Sequence, residues 1–501
     1  MKKSKEIVLR KNGNMLQVYP TNDHIFSILK PLLSFTSRDK LRGADAYKAK
    51  KQGRSLWKVD EYTLLELDHR DRVITSYGFW SLIRDALRKA GYTVKFQDLN
   101  KPDPKIMTPN WDNIKKYTLR ENQPEFIKKV LTNRCGRLDC PPGFGKTFMI
   151  GIIASLLPKA RIDVVTRRVA VLRDTIYPAL VQMVGDVGIR GGGKNVKRGR
   201  VMCYTVGSMK HAKATDCDIL FGDEAHELAA DQSSAELVRW QNSRNFGLSA
   251  SHDMRFDNKD LRMHGVFGPI ILKVDYSQAE DANMVVPLKI KWSSVVMDYD
   301  PCGSAGDNDV EHKRAGLWRN THRNQIIAEQ AREYDDDTQV LITVDTLDHA
   351  MHLKKLLPEY TLVYMENGLT PTRKKQAVKE GLLSNSEPYM TIDRRAKLTK
   401  QFEKGTLKKV IATTVWNVGV SFNNLQVLMR ADGGSSTIND IQIPGRVSRT
   451  AKGKTHGVVH DFLDQFNYKY RQRAKGRAKS YAREKWEQKF PRESMLSEYL
   501  K

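Results

Sequence analysis

Three short stretches carry residue types that can do chemistry together. Pro141-Pro142-Gly143-Phe144-Gly145-Lys146-Thr147 sets two glycines, a lysine and a hydroxyl ahead of the apolar run Phe148-Met149-Ile150-Gly151-Ile152-Ile153-Ala154. A glycine-bearing turn that opens into a helix lets backbone N–H groups approach anionic oxygen, while Lys146 offers charge to the β/γ-phosphates and Thr147 a hydroxyl to Mg2+. Asp223-Glu224-Ala225-His226 follows the apolar run Ile219-Leu220-Phe221-Gly222. Its carboxylates therefore fall at the carboxyl end of a strand, where open α/β sheets place their ligands. There Asp223 would hold magnesium and Glu224 would take the proton of an attacking water. Gln442-Ile443-Pro444-Gly445-Arg446-Val447-Ser448-Arg449 supplies two arginines three residues apart. On a helix both face one way, and a planar guanidinium can neutralise charge on a transferring phosphoryl group. Upstream, Gln123 has the donor and the acceptor that an adenine edge requires. Singly, each stretch has a plainer reading: a turn before a helix, an acidic pair capping the next one, two solvated arginines, a surface glutamine. Their order along the chain favours a site for ATP and Mg2+.

The surrounding sequence shows how these residues would be positioned. Short β-rich runs alternate with helical segments through Ile162-Asp163-Val164-Val165-Thr166, Val201-Met202-Cys203-Tyr204-Thr205, Ile219 to Gly222 and Phe246-Gly247-Leu248-Ser249. A second series runs through Gln339 to Val344, Thr361 to Tyr364, Lys409 to Thr414, Val427 to Met429 and Gly457 to His460. Alternation of this kind builds parallel sheets with crossover helices, so the expected class is α/β with two such domains in tandem. A small α+β domain precedes them. Its clearest element is the stripe Phe79, Leu82, Ile83, Ala86, Leu87, Ala90, closed by Gly91 and followed by the alternating Tyr92-Thr93-Val94-Lys95-Phe96: helix, glycine stop, strand. The basic flank Lys48 to Arg54 with Trp57 beyond it is either a hairpin facing nucleic acid or a solvated loop beside a core tryptophan. The expected partition is a small accessory domain over 1–105, a first α/β domain over 106–290, a linker or hinge over 291–320, a second α/β domain over 321–462 and a basic helical tail over 463–501. That tail, with Tyr468, Tyr470, Tyr481, Trp486 and Phe490 among its cations, either adds affinity for exposed bases or packs on the second domain.

Composition sets the partner class. Lys and Arg number 84 against 58 acids, a formal charge of +26, which favours a polyanion bound in a salt-sensitive way. The five cysteines Cys135, Cys140, Cys203, Cys217 and Cys302 show no metal-ligand spacing and are expected as reduced thiols. No apolar run approaches the roughly 20 residues of a membrane helix, and Met1-Lys2-Lys3-Ser4-Lys5-Glu6 leads into no signal-peptide core. The expectation is a cytoplasmic protein that is neither exported nor membrane-bound.

With these residues in place, the chain resembles superfamily 2 helicases and translocases over about Tyr117 to Asp461. Leu119-Arg120-Glu121-Asn122-Gln123 is similar to the adenine-reading motif of that family, Gly143 to Thr147 to motif I, and Asp223 to His226 to the DExH (DEAH-like) box. Leu248-Ser249-Ala250-Ser251 resembles motif III, Thr413 to Ser421 motif V, and Gln442 to Arg449 motif VI. Within the superfamily, Gly191-Gly192-Gly193-Lys194, Gly247 to Ser251 with Arg255 nearby, Arg323-Asn324 and Gly419-Val420-Ser421 before Asn424-Leu425 are similar to bacteriophage UvsW-type helicases and, more distantly, to the XPB-like branch.

The resemblance implies two RecA-like motor domains that clasp Mg-ATP between them. Arg120, Gln123, Gly143, Phe144, Gly145, Lys146, Thr147, Asp223 and Glu224 would serve on one wall, and Gly419, Gln442, Arg446 and Arg449 on the other. Thr205, Thr346 and Thr413 would contact a phosphate backbone, and His226, Ser249 and Ser251 would couple ATP to strand movement. The implied activity is an ATP-dependent DNA helicase acting on branched DNA, by branch migration, fork regression or D-loop and R-loop unwinding, in phage replication and recombination. It would work as a monomer on forked DNA, with phage or host replication and recombination proteins as partners. Ser251-His252 stands where many relatives carry Thr-Pro, and Ser421 where aspartate is frequent. An RNA helicase and a branched-DNA-binding protein with a degenerate ATPase are the rival readings.

Overall fold

A computed structural model describes residues 6–41, 48–49, 51–55, 57–99, 106–212, 214–229, 236–237, 239–240, 242–249, 260–306, 308–416 and 422–491. By contact the chain divides into two compact units, Met1–Cys140 with Gly145–Val274 and Pro141–Phe144 with Asp275–Lys501.

The first unit begins with a small mixed domain. Its strands are β1 (Glu6–Asn12), β2 (Met15–Tyr19), β3 (Ser34–Lys40), β4 (Trp57–Thr63), β5 (Leu65–Leu67), β6 (Val73–Ser76) and β7 (Thr93–Asp98). Five of them form one sheet in the order β5-β6-β2-β1-β7, antiparallel except for the β1–β7 pair. The alternation in β1 and β2 sends Ile7, Leu9, Leu16 and Val18 into a core with Ile25, Leu29, Ile83 and Leu87. Helix Trp80–Lys89 ends as the stripe predicts. Gly91 takes φ +87°, its N–H donates to Arg88 O, and Tyr92 N–H reaches back to Leu87 O at 3.0 Å. A side chain at that φ would be strained, which is why a glycine stops the helix there. Among the described residues strands β3 and β4 pair only with each other, and Trp57 is 53% exposed, so the reading of the basic flank that needed a core tryptophan does not hold.

This domain packs directly on the rest of its unit. Asn14 Nδ2 donates to Trp240 O and Ser243 O, and Phe79 stacks on His264 with ring centroids 5.6 Å apart. Gly78 is required at this seam, because a Cβ there would stand 2.1 Å from His264 O.

The large sheet of the first unit is built from β8 (Cys135–Asp139), β9 (Ile162–Thr166), β10 (Val187–Gly191), β11 (Lys194–Val196), β12 (Val201–Thr205), β13 (Ile219–Asp223), β14 (Arg244–Ser249) and β15 (Ile270–Lys273). They lie in the order β11-β10-β12-β9-β13-β14-β8-β15, all parallel except the β10–β11 hairpin. Gly192 and Gly193, with φ +62° and +79°, make the two-residue turn of that hairpin.

The sheet of the second unit is parallel throughout. Its strands are β16 (Leu288–Val295), β17 (Val340–Thr343), β18 (Thr361–Val363), β19 (Lys409–Ala412), β20 (Val427–Arg430), β21 (Gly457–Asp464) and β22 (Glu487–Lys489), ordered β18-β19-β17-β20-β21-β16-β22. Two of these strands differ from the expected partition. β16 runs across the boundary expected at 290 and pairs with β21 from Leu288↔Gly457 to Val295↔Asp464, so the start of the expected linker is sheet. Its alternation Leu288, Ile290, Trp292 in, Lys289, Lys291 out explains why.

The expected tail is likewise integrated. Helix Tyr468–Arg483 buries Tyr470, Ala474, Arg477, Ala478 and Tyr481 at helical spacing, and β22 then joins the sheet edge beside β16. Inside the helix–sheet contact, Arg477 forks onto Asp461, Tyr481 Oη donates to Asp461 Oδ2 at 2.7 Å, and Arg430 binds both Asp440 and Tyr481 Oη at 2.9 and 3.0 Å. Nearby, Arg323 and Asp464 form another buried pair at 2.7 Å. All five cysteines are buried and none forms a disulfide. Among the described residues no helix is long and apolar enough to cross a membrane.

Candidate nucleotide site

The phosphate loop leaves β8 and enters helix Lys146–Leu156. Gly143 and Gly145 both take left-handed backbone, φ +90° and +88°, where a side chain is costly, so the glycines are required by the turn as well as by close approach. Lys146 Nζ donates to Cys140 O at 3.2 Å, and Phe144, fully buried, anchors the loop. Gln123 opens helix Gln123–Thr132 and is buried at 3% exposure. Its Oε1 accepts the Arg120 N–H at 2.9 Å, and its Nε2 lies 3.3 Å from where a Cβ on Gly145 would be. The structure therefore brings Arg120, Gln123 and Gly145 together.

Asp223 is the last residue of β13, which neighbours β14, and β14 neighbours β8. The acidic pair and the phosphate loop thus leave the same edge of the sheet, as strand–loop succession predicts. Burial, then repulsion from Glu224, raises the Asp223 carboxyl pKa, and the Lys146 charge opposes that rise. Glu224 adopts φ +46°, an uncommon backbone for a non-glycine residue, and turns the chain into the short helix Ala225–Ala229. The Asp223 carboxyl and the Thr147 hydroxyl are hard-oxygen donors of the kind that suit Mg2+. No cluster of three or more metal-ligating side chains occurs among the described residues, so such an ion would take its other ligands from phosphate and water.

Two contacts tie the acidic segment to its neighbours. His226 Nδ1 lies 2.8 Å from Ser249 Oγ and 3.4 Å from Glu224 Oε2. Ser249 O accepts the Cys140 N–H at 2.9 Å, so one residue at the end of β14 touches both the acidic segment and the start of the phosphate loop. Arg168 forks onto Glu227, with Nε 2.9 Å from both carboxylate oxygens. No local pattern marks that pair, whose partners stand 59 positions apart.

In the second unit, the arginine segment departs from the expected helix. Helix Thr437–Gln442 ends, Pro444–Arg446 makes one tight turn, and Arg449 lies beyond it in an isolated β-bridge with Val285. Pro444 has no N–H to continue the helix, so Arg446 and Arg449 do not share a helical face. Ser448 holds this conformation: its Oγ donates to Gly445 O at 2.8 Å and meets Tyr276 Oη at 3.0 Å.

Of the three threonines, Thr205 ends β12 and is buried, with room made by Gly191, whose Cβ would stand 2.6 Å from Thr205 Oγ1. Thr346 caps helix Leu347–Leu356, and Thr413 follows β19 with its N–H on Val363 O at 2.9 Å. Thr346 and Thr413 thus lie beyond the carboxyl ends of neighbouring strands. Ser251 and Gly419, with Arg255, Val420 and Ser421, lie outside the described residues.

Residues 321–451 match the helicase conserved C-terminal domain. A helicase of Sulfolobus islandicus filamentous virus is 24% identical over 50% of this chain and 43% of its own length. The DNA 3'-5' helicase Rad25 of Haloarcula marismortui is 23% identical over 74% of this chain and 56% of its own. The chain is related to the superfamily 2 helicases. It spans about half the length of these two relatives. Among solved structures, Saccharomyces cerevisiae Dbp5 bound to RNA and ADP BeF3 aligns over 80% of this chain and 98% of its own with TM-score 0.51 and 13% identity. T4 UvsW aligns over 97% and 99% with TM-score 0.41 and 16% identity. The α/β fold with two RecA-like parallel sheets is shared with Dbp5.

Proposed function

We propose that this chain is an ATP-dependent DNA helicase or translocase that remodels branched DNA. The observation that carries the reading is the gathering of Lys146, Asp223, Glu224 and Ser249 along one edge of the first sheet, upstream of a helicase C-terminal domain. Gln123 and Arg120 receive the adenine, and the N–H groups of Gly143, Phe144 and Gly145 with Lys146 receive phosphate. Thr147 and Asp223 would hold magnesium, which would supply charge to the phosphates. Glu224 accepts the proton of the attacking water, Arg446 and Arg449 neutralise charge at the transferring phosphoryl group, and Gln442 offers a hydrogen bond there. Gly419 and Ser251 keep their proposed roles at the nucleotide and in coupling. Thr205, Thr346 and Thr413 grip backbone phosphates, which carries no sequence information, so the chain selects structure rather than sequence.

Several features favour DNA and a viral setting. The Rad25 relative is a DNA helicase by name, another relative is viral, and the charge of +26 suits a polyanion. We place the protein in the cytoplasm of an infected host, as a monomer on forks and junctions in phage replication and recombination. The fold likeness to Dbp5, solved with RNA, supports a second reading as an RNA helicase. ATP hydrolysis measured side by side on a DNA fork, a four-way junction, single-stranded DNA and RNA, with Glu224→Gln as control, decides between them. The DNA reading requires stronger stimulation by branched DNA than by RNA, and the reverse order overturns it.

A further inference from the structure

The carboxyl ends of β17 and β19 lead to Thr346 and Thr413, and the opposite edge, where Arg449 bridges Val285 just ahead of β16, carries a further feature. A hollow of about 270 Å3 is lined by Gln339, Lys408, Gln426 and Lys452 to Lys454, residues that precede β17, β19, β20 and β21, four neighbouring strands. Lys404 and Gly405 close its rim, and Asp337 is its one carboxylate. A second hollow of about 360 Å3 adjoins it along helix Ile392–Glu403, lined by Lys397, Lys400 and again Lys404, with Asp393 as its one acid. None of Lys397, Lys400, Lys404, Lys408 and Lys452 takes part in an ion pair among the described residues.

We propose that these two hollows form one track for the sugar–phosphate backbone of a second nucleic-acid segment, distinct from the strand gripped at the carboxyl edge. Six lysines against two carboxylates fix the sign of the ligand. The shared Lys404 fixes its shape, since a small anion would fill one hollow whereas a polymer runs through both. From Lys397 to Lys404 the helix advances about 10 Å, a length over which duplex DNA presents about six charges. The track is also well apart from Thr346 and Thr413: the four-residue strands between the two edges span roughly 13 Å. Lys454 belongs to the wall but donates to Arg449 O at 2.9 Å, so its ammonium also braces the arginine segment. The choice of nucleic acid over an acidic protein rests on the proposed reading, in which a branched substrate has arms outside the strand being tracked.

The test compares the wild-type chain with Lys397→Glu/Lys404→Glu/Lys452→Glu, by fluorescence anisotropy with a duplex-armed DNA fork across a salt series. The expected result is at least about a tenfold loss of fork affinity and a log–log salt slope shallower by roughly two to three, with hydrolysis stimulated by a short single strand unchanged. The triple Lys→Gln variant is expected to show a smaller loss of the same kind, which separates charge from misfolding. Unchanged fork affinity and slope in both variants overturn the track. A wild-type chain that binds the fork and loses it in the variant while hydrolysing no ATP overturns the motor reading and leaves the track standing. One that binds no nucleic acid overturns both.

Discussion

His226 and Ser249 are joined by a buried side-chain contact of 2.8 Å, and the Ser249 carbonyl also receives the N–H of Cys140 at the root of the phosphate loop. A shift at the nucleotide therefore has a short mechanical route to the acidic segment and to the end of β14. Ser249→Ala keeps the backbone bond and removes the hydroxyl. We expect strand displacement per ATP consumed to fall severalfold while hydrolysis itself changes less than about threefold. Loss of the buried partner costs about 1–3 kcal/mol of stability. Parallel unwinding and ATPase assays check this, and an equal fall in both denies Ser249 a coupling role.

The buried ion pairs of the second unit make a separate prediction. Arg477 is fully buried on Asp461 and also donates to Gly434 O and Phe462 O, each at 2.9 Å. Removing one partner leaves a buried charge without its counter-charge, which typically costs about 3–5 kcal/mol. Arg477→Met is expected to lower the urea midpoint of the second unit by a corresponding amount, and Arg477→Met/Asp461→Asn to recover part of the loss. If the double variant is no more stable than the single one, the pair is not coupled.

Acid should weaken the fold before it touches the carboxylates. Burial lowers the His460 imidazole pKa from its usual value to about 4, with Lys291 adding repulsion. Because the folded value lies below the unfolded one, the unfolded chain binds the extra proton. The stabilisation is complete above about pH 6.5 and is lost progressively as pH falls toward 4. A shift of that size is worth up to about 3 kcal/mol. His460→Gln should flatten the fall of unfolding free energy over that window, and a variant with the wild-type slope would contradict the assignment.

Where residue pattern was unambiguous, sequence and structure agree closely. The glycine stop at Gly91, the strand into Asp223 and the helix opening at Lys146 follow from local chemistry, since each needs only neighbours in sequence to be recognised. Strands such as β8, Cys-Gly-Arg-Leu-Asp, were hidden because a strand buried on both faces beside a glycine shows no alternation. β22 is three residues long and is a strand only because β16 offers it an edge. The arginine segment misleads for a different reason: spacing of three reads as helix until Pro444 removes the N–H that would continue it. Long-range pairs, Arg168 with Glu227 and Arg477 with Asp461, have no local signature at all.

The most direct test is the rate of ATP hydrolysis by the purified chain with and without forked DNA, alongside Lys146→Ala and Glu224→Gln. The account predicts hydrolysis that rises strongly when DNA is added and falls by about a hundredfold or more in each variant, with Glu224→Gln still binding ATP. Hydrolysis that is indifferent to every polynucleotide, or that survives both substitutions, would contradict it.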